Sequence, residues 1–158
     1  MSADFHAYAQ SQRAHIRILR DQSMRERVVI ALECIEGRHD PIVRRFLSGR
    51  ISEEKFLEQV DWDRRWGFPW ENYRPLFELA KDRGFGVIGL NPPNAENLHY
   101  RDRWMARKIA DVSRANPQSL IYAIVGEFHL ASAHLPRHLR AELGNLDRSE
   151  ERRVGKEC

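Results

Sequence analysis

The sequence predicts an α/β fold, a mostly parallel sheet with helices on both faces, and three observations lead there. Apolar runs recur: Val28-Val29-Ile30-Ala31-Leu32, Gly86-Val87-Ile88-Gly89-Leu90 and Leu120-Ile121-Tyr122-Ala123-Ile124-Val125. Runs of this kind are what strands covered on both faces look like. Stretches with helical period separate them, and such alternation builds parallel sheets through crossover helices. Each run also ends in polar groups: Glu33, Asn91, and the segment Gly126-Glu127-Phe128-His129. The carboxyl ends of strands are where open α/β sheets bind ligands.

Taken in order, Met1-Ser2-Ala3 leaves no room for a strand before Asp4-Phe5-His6, so the fold begins with a loop or its first strand lies upstream. Residues 9–22 follow a helical period, with Ala14, Ile16, Ile18 and Leu19 apolar. The strand 28–32 follows. Asp40-Pro41 starts a helix, since proline is tolerated in the first helical turn. Ile42, Val43, Phe46 and Leu47 form its inner stripe and Gly49 ends it. Ser52 caps a second helix with Phe56, Leu57 and Val60 inward. Trp62, Trp66, Phe68, Trp70 and Tyr73 come next; core packing is the favoured reading, and a wall for a flat apolar ligand is the functional one. A helix over 73–83 stops at Gly84, and the strand 86–90 leads into the Asn91-Pro92-Pro93-Asn94 loop. A helix over 102–116 places Trp104, Met105, Ile109 and Val112 on one face; Pro117 ends it before the last strand. A helix over 134–143 closes the order. The connection from Glu33 to Gly86 holds three helices, a helical insertion as well as a crossover.

The 158 residues suggest one domain able to bury a real core. An apolar fraction of 42% with 31% charged residues fits a soluble globular chain. A net charge of +3 is too small to argue for nucleic acid. No run approaches a membrane span, and no export signal follows Met1, so the chain as written reads as cytoplasmic. Two cysteines give neither a disulfide framework nor a metal motif, and Cys34 beside a buried strand reads as packing. Residues 148–158 are charged and without apolar period; they look like a translated sequencing adapter. The expected domain is therefore 1–147, with 148–158 a non-native or disordered tail and the natural chain extending beyond both ends.

If the strands are parallel, Asp4, His6, Glu33, Asn91, Glu127 and His129 collect at one rim. Two histidines with nearby carboxylates hold a divalent metal or share acid–base work. On the metal reading the ligands are Asp4, His6, Glu33 and His129. On the catalytic reading Glu33, Glu127 and His129 act. There is no H-E-x-x-H and no G-x-x-x-x-G-K, and Gly84-Phe85-Gly86-Val87-Ile88-Gly89, which spells G-x-G-x-x-G, leads from a helix into a strand and not from a strand into a helix, which leaves a zinc helix motif and loop-type nucleotide binding unsupported. His15, His39, His99 and His138 read as surface or helix residues. His134 is ambiguous, because it closely follows the rim segment.

These pieces resemble a family. Asp4-Phe5-His6 with Gln10-Ser11-Gln12-Arg13, Ala31-Leu32-Glu33, Phe46-Leu47-Ser48-Gly49-Arg50, Trp70-Glu71-Asn72-Tyr73-Arg74-Pro75, Val87-Ile88-Gly89-Leu90-Asn91, Arg101-Asp102-Arg103-Trp104-Met105-Ala106 and Val125-Gly126-Glu127-Phe128-His129 are similar, in order, to the ChaN-like domain. That domain is the haem-binding uptake branch of the Tiki/TraB superfamily. The resemblance covers nearly all of 3–143. It departs at Ala3, where the family has glycine, and in lacking the strand that leads into the first motif. It implies haem or iron binding and uptake, with haem or a divalent metal ion as cofactor and a homodimer that pairs around haem. It also implies an export or lipoprotein signal upstream of this start. Asn91, Asp102 and Gly126 are the ligand-binding candidates on this reading, and Tyr100, His99 or the aromatic stretch are haem contacts without a matching motif. Hydrolase relatives, the Tiki proteins and erythromycin esterases, imply the alternative of a metal-dependent hydrolase. A third reading is an inactive gene fragment.

Overall fold

A computed structural model of the chain describes residues 2–4, 9–22, 27–94 and 97–154, with side chains for 10–21, 27–94 and 97–144. Among the described residues, four parallel strands form one sheet in the order β1-β4-β2-β3. They are β1 (Ser2–Asp4), β2 (Arg27–Glu36), β3 (Gly86–Asn91) and β4 (Ser119–Gly126). The expectation that no strand fits before Asp4-Phe5-His6 is corrected: three residues suffice, because β1 only has to pair Ser2, Ala3 and Asp4 with Ile124, Val125 and Gly126. His6 lies outside the described residues.

The predicted α/β class with helices on both faces is what the chain adopts. One face carries α1 (Ala9–Gln22), α2 (Asp40–Leu47), α3 (Glu53–Val60), α4 (Trp62–Arg65) and α5 (Arg74–Arg83). The other carries α6 (Leu98–Ala115) and α7 (Leu135–Val154). Strand alternation divides the cores. Val28, Ile30 and Leu32 of β2 face the first layer, whereas Ala31 faces the second with Ala123 and Val125 of β4.

The aromatic stretch packs as core. Phe46 stacks on Phe56 with ring centroids 4.5 Å apart, and Trp62, Trp70, Tyr73 and Phe77 close around them. The expected stops and caps are present: Gly49 and Gly84 have φ of 72° and 66°, and Ser52 accepts from the Lys55 N–H at 3.2 Å. The α1 face differs from the expected one. Gln12, His15, Ile16 and Leu19 turn inward, while Ala14 and Ile18 are exposed. His15 is buried because Tyr122 of β4 meets its Nδ1 at 3.1 Å, and His39 is buried in the turn before α2. Neither is a surface residue.

Two boundaries matter for the site. β2 runs on to Glu36, so Glu33 sits inside the strand. The register against β3 shifts between Leu32 and Glu36, a bulge that re-aims the strand end. α6 begins at Leu98, capped by the Asn97 side chain accepting from Tyr100 N–H at 2.9 Å, one turn earlier than expected. Its inward stripe is Asp102, Met105, Ala106, Ile109 and Ala110.

Candidate functional site

The carboxyl edge of the sheet meets the starts of α6 and α7. Glu33 is buried on the α6 side of β2. Its Oε2 accepts from the Gly126 N–H at 2.5 Å, which ties β2 to the end of β4. Its Oε1 accepts from the Arg101 guanidinium, and His129 Nε2 lies 3.2 Å from the same oxygen. His129 itself follows β4 in a one-turn 3-10 segment (Glu127–Leu130). Its other nitrogen, Nδ1, is 2.5 Å from Asp102 Oδ1. Asp102 is fully buried, and its second oxygen is 2.8 Å from His134 Nδ1. The result is a chain of groups: Arg101, Glu33, His129, Asp102, His134.

The sequence positions Asp102 by helix phase. It is one turn before Met105 and Ala106 on the stripe that α6 lays on the sheet, so a carboxylate occupies what would otherwise be an apolar position. A buried carboxylate needs partners, and the two imidazoles supply them.

Carboxylates accept and do not donate when ionised, so an imidazole facing one at each nitrogen satisfies both only as the doubly protonated imidazolium. The titration of the pair follows. Burial pulls His129 down, but its hydrogen bonds to Glu33 and Asp102 and the Glu33 charge outweigh this and raise it above its usual value. Burial likewise pushes Glu33 up, yet the His129 contact, the Gly126 N–H and Arg101 bring it from 4.5 down to about 2. Asp102 at Nδ1 fixes the ring orientation, the role a buried acid plays behind an acid–base histidine. The Nε2 contact is the longer of the two, and Glu33 Oε1 is already shared with Arg101. Nε2 is therefore the nitrogen that can turn its proton toward a ligand at the rim.

Of the predicted site residues, Glu33, Asp102, Gly126 and His129 meet in this network. Asp4 is in register with Gly126 through its backbone. Glu127 is exposed and stands outside the hydrogen-bonded chain. Asn91 ends β3 opposite Glu36, with its Oδ1 buried and without a hydrogen-bond partner. Arg101 was not among the expected site residues, His99 was expected only as a haem contact without a matching motif, and His134 was left ambiguous. Exposed His99 stacks on His134, with ring centroids 5.2 Å apart. The signal for His99 was its i, i+3 spacing from Asp102 on one helix face.

Comparisons with known proteins give a family and a fold. The sequence profile described as haem-binding uptake, Tiki superfamily, ChaN matches residues 3–99. A structure of ChaN from Campylobacter jejuni, described by its cofacial haem binding, is 10% identical with a TM-score of 0.60, covering 87% of this chain and 74% of that one. RRSP, a MARTX toxin effector domain from Vibrio vulnificus CMCP6, is 21% identical with a TM-score of 0.51, over 82% of this chain. The match spans only 26% of the RRSP chain. At these identities the likenesses establish the fold. No curated protein matches the chain.

Proposed function

The chain belongs to the haem-binding uptake family of the Tiki superfamily, ChaN, and we propose that it binds haem at the carboxyl-edge rim of its sheet. The observation that carries this reading is the family match over residues 3–99. The rim offers what haem requires, an apolar contact and an accessible donor for iron. Phe128 is 73% exposed beside His129, where its ring is open to a flat apolar ligand. His99 and Tyr100 stand in the first turn of α6, exposed and half-buried respectively. His129 does not serve as the iron ligand in this arrangement, since both of its nitrogens face carboxylates. Trp62, Trp70 and Tyr73 of the aromatic stretch are buried and offer no wall. Tyr100 would hold the iron, with Phe128 against the macrocycle. Pairing of two chains around haem is the assembly this reading implies.

Titrating the purified chain with haemin tests the proposal. We expect a saturating Soret shift that weakens in Phe128→Ser and in Tyr100→Phe. Sedimentation with and without haemin reads the dimer. No shift beyond that of free haemin overturns the reading.

A second reading is favoured by the network itself. Paired carboxylates with an oriented histidine are the equipment of acid–base hydrolysis. In it His129 donates a proton from Nε2, Arg101 holds Glu33, the partner of that nitrogen, and exposed Glu127 supplies a base at the rim. A divalent metal, where present, would polarise the scissile group. An ester and peptide hydrolysis screen checks it: activity should fall in Glu127→Gln, an exposed change that leaves the fold intact. Activity unaffected by Glu127→Gln and by His129→Ala removes this reading.

A further inference from the structure

Beyond the haem reading, we infer a second binding site: His99, Asp102 and His134 form a receptor for a borderline first-row divalent cation, with Zn2+ as its representative. One ligand atom from each residue lies within 4.8 Å of the other two. Donors around a single Zn2+ at about 2.1 Å are separated by roughly 3–4 Å, so rotation of the two rings closes the set without backbone movement.

The fold delivers these groups together. His99 and Asp102 lie one turn apart on α6, and His134 stands at the entry to α7, which packs against α6. Asp102 is fully buried and fixed from its other oxygen by His129, so one ligand is already oriented by a neighbouring contact. The two imidazoles stack at 18°, and His134 Nδ1 already faces Asp102 Oδ2 at 2.8 Å, so an ion bound there replaces the proton between them. His138 follows one turn after His134, with its ring 6.4 Å from that of His99. Its Nε2 is buried with no hydrogen-bond partner among the described residues. A buried ring nitrogen without a partner is uncommon, and here it stands at the edge of the same histidine cluster.

Two imidazoles and one carboxylate suit zinc, iron, cobalt or nickel; magnesium and calcium prefer sets made of oxygen. Three protein ligands leave an open coordination position, and exposed His99 places that position toward solvent. None of Asp4, His6, Glu33 or His129 is required. The ion pair between Glu33 and His129 is left whole, because only the far side of Asp102 is used.

The test is a Zn2+ titration of the chelator-treated full chain by calorimetry without haem, together with the visible spectrum after Co2+ loading. One equivalent should bind, and Co2+ should give the intense bands of a low-coordinate site. His99→Ala and His134→Ala should each weaken binding by more than roughly 100-fold, since even outer contacts to a metal ligand are worth 10–100-fold. His99 is exposed, so its removal tests the site even if His134→Ala fails to fold. On the unaltered protein, Zn2+ should protect His99 and His134 from carbethoxylation. Stoichiometric binding that survives both substitutions, protection confined to other histidines, or no binding at all overturns the inference. A haemin shift without zinc binding would end this proposal and leave the haem reading standing; zinc binding without a haemin shift would do the reverse.

Discussion

Glu33→Gln asks whether the buried network holds the fold together as an ion pair. In the folded chain Glu33 titrates at about 2 instead of 4.5. Burial alone would raise it, so the fall measures how far His129, the Gly126 N–H and Arg101 outweigh desolvation. The fall from 4.5 to about 2 is worth roughly 3 kcal/mol of stability. Because the folded value is the lower one, that stability is complete above pH 4.5 and is lost as the pH falls toward 2. At neutral pH the substitution leaves the His129 imidazolium and the Arg101 guanidinium sharing a neutral acceptor, at a cost of roughly 3–5 kcal/mol. Urea unfolding followed by tryptophan fluorescence reads both effects, since Trp62 and Trp70 are buried in the core. Between neutral pH and about pH 2 the unaltered chain should lose about 3 kcal/mol more than the variant does. Parallel losses in the two chains would refute the ion pair as a source of stability.

Other expectations concern His129, Gly89 and Phe56. The His129 ring should remain an imidazolium above its usual value of 6.5. Its contribution is complete below that value and fades as the pH rises through the raised one, and it is the same contact as that of Glu33, not an addition to it. Ring-proton NMR reads this directly, and a titration at or below the usual value would disprove the double clamp. Gly89→Ala should destabilise by roughly 1–3 kcal/mol or more, because a Cβ there would sit 2.6 Å from the backbone of Ile35 and Glu36 in the bulged part of β2. An unchanged melting temperature would contradict that close approach. Phe56→Ala removes a fully buried ring stacked on Phe46. Urea unfolding should show a loss of about 3–5 kcal/mol, and a loss below about 1 kcal/mol would mean that the site collapses around the deletion.

Much of the fold was legible because its signals are local. The apolar runs became β2, β3 and β4, and Pro41, Ser52, Gly49 and Gly84 mark helix ends through their own backbone and capping chemistry. What was not legible depends on the sheet as a whole. A three-residue strand carries no periodicity, and β1 exists because β4 offers it a partner edge. The extension of β2 to Glu36 is set by the bulge against β3, which no run of residue types announces. Two polar residues of α1, Gln12 and His15, turn inward beside Ile16 and Leu19, and Tyr122, 107 residues away, receives His15.

The site divides in the same way. Glu33, Gly126 and His129 were visible because each follows a strong strand signal. Asp102 came from a motif resemblance, although its phase with Met105, Ala106 and Ile109 carries the physical reason. Arg101 and His134 were hidden because their partners lie far away in sequence. Arg101 reaches Glu33 across 68 residues and His134 reaches Asp102 across 32. The finished network constrains chemistry in a way the separate residues do not. An imidazole gripped by carboxylates at both nitrogens must release one before it can bind a cation or act as a base. The grip at Asp102 is the shorter, at 2.5 Å against 3.2 Å at Glu33. Any reaction at His129 therefore starts by opening the Glu33 contact, and the freed oxygen stays bound to Arg101. Arg101→Lys should accordingly disturb activity or ligand binding at His129 more than it disturbs stability, since a lysine keeps the charge but loses the planar fork.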